Sequence, residues 1–344
     1  LIINCLAKST NQLMSRSQSF LIIQTAFIGD VILATPIIEK IHQYYPDADI
    51  DFLVRKGNES LLEGHPKLQK VLIWDKKEDK YKHLLRLARE IRHRKYNTII
   101  NAQRFAASGF LTAFSGANEK IGFDKNPFSS FYHKKIKHEI GEETHEVSRN
   151  LQLIEHLTDA TFLRPILYPS NNDVEKVSPY QSEAYICVAP SSVWFTKRFP
   201  AEKWVQFVEA LPYDLNILLI GSPADGCTCE MIKTTAHHPN IYNLSGKLSL
   251  LQSAALIRDA RLTYTNDSAP MHLASAMNAP VAAVFCSTVP EFGFGPLSQT
   301  AHIIQTKQDL PCRPCGLHGK KKCPKGHFDC ANTIDTEAMA GLVD

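Results

Sequence analysis

Three separated groups of residues carry the equipment for moving a chemical group between two substrates. Asp30 stands behind Gly29 at the head of an apolar helical run, where a carboxylate can take a proton as a general base. The loop from Ala189 to Pro200 sets the hydroxyls of Ser191 and Ser192 beside two adjacent cations, Lys197 and Arg198. A bound diphosphate needs that pairing, a fixed positive charge with N–H or O–H donors. The third group is Asn266-Asp267-Ser268, which ends an apolar run and leads into Ala269-Pro270-Met271-His272. Asp267 can accept from sugar hydroxyls. Ser268 and a helix starting at Pro270, where a missing N–H costs nothing, suit phosphate oxygens. Gly221-Ser222-Pro223-Ala224-Asp225 is a further turn able to approach a nucleotide closely.

Each group also has a plainer explanation. Asp30 reads equally as a helix N-cap, and a carboxylate committed to capping has a lowered pKa and is a weaker base. Lys197 and Arg198 read as a solvated surface pair. Asn266, Asp267 or Ser268 could each cap the following helix, His272 inside it is by default a satisfied histidine, and Gly221 opens an ordinary turn.

The surrounding pattern says what must position these residues. Apolar runs at 20–25, 50–54, 71–74 and 97–101 read as strands, with helical spacing after Asp30 and again between Glu78 and Tyr96. Gly116 to Phe131 reads mostly as loop, and His145 to Leu157 returns to a helical period. Pro165, Pro169, Ser170, Asn171, Asn172, Ser178 and Pro179 mark a polar connection. The alternation then restarts, with strands at 184–189, 215–220, 241–243, 261–265 and 281–286 separated by helices. Strands alternating with helices mean parallel, doubly covered sheets. The expected organisation is a disordered leader over 1–18, a first α/β domain over 19–165, a linker over 166–182 and a second α/β domain over 183–344. Two such domains leave a cleft between facing carboxyl ends, and no internal repeat is visible.

Composition narrows the classes. The 344 residues are 44% hydrophobic and 21% charged, a globular balance, and the net charge of +3 is too small to argue for nucleic acid. No apolar run approaches the ~20 residues needed to cross a bilayer. The nine cysteines do not suggest a secreted scaffold, because Cys187 and Cys286 lie in apolar strand-like runs. Cys312, Cys315, Cys323 and Cys330 cluster in the tail; in a reduced compartment they read as a small zinc knuckle better than as two disulfides, with a loop of buried or free thiols as the plainer reading. Cations outnumber acids between Lys76 and Lys95 and in His133-Lys134-Lys135-Ile136-Lys137-His138. A solvated face explains part of that excess, and attraction to a polyanion such as a membrane surface or a phosphorylated acceptor explains its one-sided sign.

Taken in order, these residues resemble glycosyltransferase family 9, the ADP-heptose:lipopolysaccharide heptosyltransferases of Gram-negative bacteria. The resemblance runs from about Phe20 to Cys330. Its marks are Gly29-Asp30 followed by Ala34-Thr35-Pro36, Lys197-Arg198-Phe199-Pro200 with Trp204, Asn266-Asp267-Ser268 with His272, and the Cys-Pro-Lys-Gly-His run of the tail. It implies a GT-B architecture, two Rossmann-like doubly wound sheets facing a cleft, and an inverting heptose transfer from ADP-heptose to the lipopolysaccharide inner core that needs no cofactor. By position Asp30 resembles the general base and Lys197 the residue that neutralises the leaving diphosphate. Ser191, Ser192, Gly221, Asn266, Asp267, Ser268 and His272 resemble the donor site, and Gly29, Arg104, Lys134 and Lys135 the acceptor side. The implied partners are a phosphorylated inner-core acceptor and the anionic inner-membrane surface, the implied location is the cytoplasmic face, and nucleic acid is not expected. Some positions depart from the family's habit. Gln24 and Ala26 replace a frequent basic residue and serine, and Phe199 replaces a frequent Trp. Ala269 replaces a usual Gly, so φ there is expected below zero. The rival readings are a GT-B transferase for another nucleotide sugar and a non-catalytic protein that binds anionic lipid or nucleic acid.

Overall fold

The computed structural model describes residues 18–77, 79–141 and 144–343, so the expected leader falls outside the described residues apart from Gln18. Twelve parallel strands form two six-stranded sheets among these residues. The first comprises β1 (Ser19–Ile23), β2 (Asp49–Arg55), β3 (Lys70–Trp74), β4 (Thr98–Asn101), β5 (Glu119–Phe123) and β6 (Lys134–Ile136), in the order β3-β2-β1-β4-β5-β6. Helices α1 (Ile28–Tyr44), α2 (Lys80–Arg94), α3 (Ala106–Ala113) and α4 (Glu146–Gln152) belong to the same half. Phe20 to Ile23 are buried throughout, as a central strand with helices on both faces requires.

After α5 (Asn171–Val177) the second sheet comprises β7 (Tyr185–Ala189), β8 (Asn216–Leu219), β9 (Ile241–Asn243), β10 (Thr263–Asn266), β11 (Val281–Val284) and β12 (Ala301–Ile304). Its order is β12-β11-β10-β7-β8-β9. Renumbered from its own first strand it repeats the 3-2-1-4-5-6 order of the first sheet, the dinucleotide-binding topology. The duplication is one of topology, which explains why no sequence repeat announces it. Its helices are α6 (Ala201–Glu209), α7 (Gly226–Thr235), α8 (Leu250–Arg258), α9 (Ala269–Met277), α10 (Asp329–Asn332) and α11 (Thr336–Ala340).

Three strands and four helices, α3, α5, α10 and α11, go beyond the sequence expectation. β5 and β6 lie at one edge of their sheet and β12 at an edge of the other, where half-exposed strands lose the apolar signature. Gly122 made β5 look like loop. A Cβ there would stand 2.5 Å from the ring of Tyr132, which packs on the strand and accepts from Asn101 at 2.9 Å. α3 lies in a stretch that carried no helical reading. The polar connection also contains α5, capped by Ser170 and packed on α8.

The halves share packing. α1 contacts both α4 and α9, and one hydrophobic core runs from Ile22 and Ile37 through Leu256 to Met271 and Phe285. Among the described residues no helix is long and apolar enough to cross a membrane.

Candidate active site

In each sheet the strand order reverses between two neighbours, β1 with β4 and β7 with β10, and ligands of such sheets bind at the carboxyl ends beside that reversal. Every residue singled out as catalytic follows one of these four strands. Asp30 follows β1, Lys197 follows β7, and Asp267 and Ser268 follow β10.

Asp30 occupies the third position of α1, not the cap, because the helix starts at Ile28. Its Oδ2 still accepts from the Phe27 N–H at 3.0 Å. Burial nevertheless dominates and raises its pKa, outweighing the Phe27 and Asp30 backbone N–H groups and the charges of His318 and Arg55, all of which lower it. Capping and basicity therefore coexist in one side chain. Gly29 meets the other half directly: a Cβ there would lie 2.7 Å from Cδ2 of His272. Only glycine fits that contact.

His272 is buried in α9, and its Nδ1 has no hydrogen-bond partner among the described residues. Burial lowers its pKa to about 4; Asp267 opposes the shift, and His145 and Lys197 add to it. It is a neutral imidazole at neutral pH. Asp267 carries the densest contacts. Its Oδ2 takes the Lys197 ammonium at 2.6 Å and the Thr288 hydroxyl at 2.6 Å. Ser268 holds the N-cap position of α9 without a side-chain cap, so its hydroxyl is not spent on the helix. φ at Ala269 is not positive, as the Ala-for-Gly exchange implied, and α9 begins there, one residue before the expected start at Pro270.

Asn266 is placed differently from its neighbours. It is buried, its Oδ1 accepts from the Phe199 N–H at 2.8 Å, and it fixes the Lys197 loop to β10. Phe199 packs edge-on against Trp204 at 5.2 Å, filling the place of the larger ring expected there. Ser191 and Ser192 are half-buried on the same loop. Gly221 opens a turn whose Asp225 accepts from Ser222 N and Oγ at 2.8 and 2.7 Å, a closed arrangement of the plainer kind. Arg104 is half-buried in the loop after β4, and Lys134 and Lys135 are exposed on the edge strand β6.

The tail departs from expectation. Among the described residues no group of three or more His, Cys, Asp or Glu is arranged to hold a metal ion, so the zinc knuckle is not supported. Cys330 faces the hydrophobic core of the second half, and burial first, then the neighbouring cysteines, pushes its thiol up to about 12. The segment instead folds over the carboxyl ends of the second sheet. Arg313 donates to the carbonyls of Cys286 at 2.7 Å and Thr288 at 2.9 Å. Thr196 and Lys320 bond twice: the Thr196 N–H donates to the Lys320 carbonyl, and the Lys320 N–H donates to Thr196 Oγ1. A Cβ on Gly319 would lie 2.9 Å from Cγ of Lys197.

The sequence profile of glycosyltransferase family 9 (heptosyltransferase) matches residues 84–324. The chain belongs to that family. It is similar to lipopolysaccharide heptosyltransferase 3 of Escherichia coli K12, 29% identical over 280 residues, covering 76% of this chain and 80% of that one. Two solved structures share the fold. The family 9 glycosyltransferase of Veillonella parvula has a TM-score of 0.76 at 22% identity, covering 83% of this chain and 85% of that one. The ADP-heptose lipopolysaccharide heptosyltransferase II of E. coli has a TM-score of 0.73 at 19% identity, covering 92% and 98%. The family 9 chain thus has the GT-B architecture expected of it.

Several residues at this family 9 site escaped the sequence reading. Glu146 is buried, and burial raises its pKa against the pull of Arg149, with Asp30 among its electrostatic neighbours. Arg149 is also buried, bonding Glu146 at 2.7 Å and the Phe292 carbonyl of the other half at 3.2 Å. His145 reaches the Gly295 carbonyl at 3.0 Å. Thr288, Arg55 and His318 complete the set. Arg55 alone left a signal, a cation directly after an apolar strand.

Proposed function

We propose that this chain transfers a heptose from ADP-heptose to a sugar hydroxyl of the lipopolysaccharide inner core, with inversion at the anomeric carbon. The observation that carries the reading is membership of the heptosyltransferase family, joined to a site whose base and cation follow β1 and β7 at equivalent points of two like sheets. Asp30 takes the proton of the acceptor hydroxyl as its oxygen attacks the anomeric carbon. The bond from that carbon to the diphosphate oxygen breaks, and ADP departs with the electron pair. Lys197, Ser268 and the N–H groups opening α9 receive the developing charge. A lysine ammonium with a helix N-terminus supplies the positive charge this leaving group needs, so the reading asks for no metal ion. Ser191, Ser192, Gly221 and Asp267 line the donor side, Asn266 positions the Lys197 loop, and neutral His272 braces Gly29 beside the base.

The same reading gives residues 19–165 to the acceptor and 183–344 to the donor, with 166–182 as their connection. Arg104, Lys134 and Lys135 meet the phosphates of the acceptor, and the protein works at the cytoplasmic face of the inner membrane. A panel of ADP-, UDP- and GDP-sugars scored by release of the nucleoside diphosphate tests the donor. Turnover with ADP-heptose is expected; turnover confined to UDP or GDP sugars sinks the heptose assignment.

A further inference from the structure

We infer that the face built by Phe114 and Phe131, with Phe110 and Phe128 beside them, docks on an anionic lipid bilayer. The inference rests on the proposed lipid-linked acceptor for its purpose, and on the surface itself for its evidence. Phe105, Phe114 and Phe131 are 65%, 44% and 52% exposed. The single exposed ring of Phe105 is ordinary, but Phe114 and Phe131 form a contiguous group with the half-buried Phe110 and Phe128, and such a group marks an interaction surface. Phe114 lies 5.8 Å from Phe131 and 5.0 Å from Phe110, and Phe128 lies 6.2 Å from Phe131, centroid to centroid. The rings come from α3 and its C-cap and from the turn after β5, two segments the sequence reading had left without a role.

The surface is built, not incidental. The buried Asn126 amide donates to the carbonyls of Gln103 and Phe105, both at 3.1 Å, and its oxygen accepts from the Phe128 N–H at 2.9 Å. One side chain therefore pins the Phe105 loop to the Phe128–Phe131 turn. Gly109 makes room for it, since a Cβ there would come within 2.0 Å of the Asn126 oxygen.

The rim names the partner. Lys125, Lys134 and Lys135 are exposed beside the turn, and Arg92 donates to the Phe114 carbonyl at 3.3 Å. None of these four is ion-paired among the described residues; Asp124 is the acid in their midst, and it accepts from the His138 N–H. Aromatic rings that enter the headgroup boundary, ringed by cations that meet anionic lipid, are the chemistry of an interfacial surface.

The test is sedimentation with phosphatidylglycerol vesicles and with pure phosphatidylcholine vesicles. The parent is expected to sediment with the anionic vesicles and to release as salt rises. The Phe114→Ser, Phe131→Ser double variant is expected to bind them at least about tenfold more weakly. It should keep its transfer rate on a water-soluble, deacylated acceptor and lose rate on the same acceptor embedded in vesicles. A parent that ignores anionic vesicles, a double variant that binds like the parent, or a parent that uses this face to dimerise or to hold RNA overturns the inference. Phe131→Trp guards against a misfolded variant: its emission should shift to the blue on anionic vesicles relative to the parent, and an unshifted spectrum also overturns the inference. Vesicle binding without transfer to any acceptor upholds the docking surface and sinks the enzymatic reading instead.

Discussion

At the scale of single residues, Asp30 combines two properties that look exclusive in a sequence and are not. The carboxylate accepts from the first turn of α1, which favours its charged form, yet burial outweighs that bond and holds its pKa above the usual value. A general base works as the carboxylate, so kcat is expected to fall as pH drops through that raised pKa. Arg55 and His318 both lower it, and Arg55→Leu removes one of those charges. The acid limb of the kcat profile should then move to higher pH while its plateau changes less. Asp30→Asn should abolish the limb and cost about 10²–10⁴ in kcat. An acid limb that stays put in Arg55→Leu, or a fully active Asp30→Asn, removes Asp30 as the base.

At the scale of elements, the turns were legible because their residues are the ones that turns demand. Gly29, Pro200, Asp225 and Pro270 mark strand-to-helix junctions by their own chemistry, so the turns that carry Asp30, Lys197 and the start of α9 could be located from the sequence. Contacts between elements were not legible. Nothing near Gly29 in the chain announces His272, and nothing near Arg149 announces the Phe292 carbonyl. Asn266 shows the same limit inside a motif, for its type suits a ligand while its neighbours in space use it to hold Phe199. The tail is the largest case. Four cysteines suggested metal, whereas the fold uses the segment as a strap tied to the Lys197 loop. Thr196 makes the tie, since its Oγ1 accepts from Lys320 N–H at 2.8 Å and from Ser287 Oγ at 2.9 Å. Thr196→Val deletes both bonds at about 1 kcal/mol each, enough to make the strap open roughly fivefold or more often. Faster tryptic cleavage at Lys320, Lys321 and Lys322 is expected, with a raised KM for the donor. Unaltered cleavage would show that the strap is held elsewhere.

At the scale of the whole molecule, two sheets of one topology share a continuous core, and that core closes over histidines that cannot easily ionise. Burial lowers the pKa of His65, His138 and His272 to about 4 each, from an ordinary 6.5. Between those values the unfolded chain binds protons that the folded chain refuses. Stability therefore rises with pH across this window and is lost as pH falls from about 6.5 toward 4. Asp30 and Glu146, whose pKa values are raised, act with the opposite sign, so the contribution of one histidine is read as a difference. His65 suits that measurement because it lies away from the cleft, edge-on to Tyr168 at 4.7 Å, where Glu39 pulls its pKa up and Lys67 pushes it down. Replacing it with glutamine removes one proton from the linkage. The unfolding free energy of His65→Gln should lose up to about 1.4 kcal/mol per pH unit of slope relative to the parent inside the window. Above pH 7 the two curves should run parallel, offset only by the altered packing. Curves that stay parallel down to pH 4 would mean that His65 titrates in the folded chain as it does in water, and that the closed core does not exclude its charge.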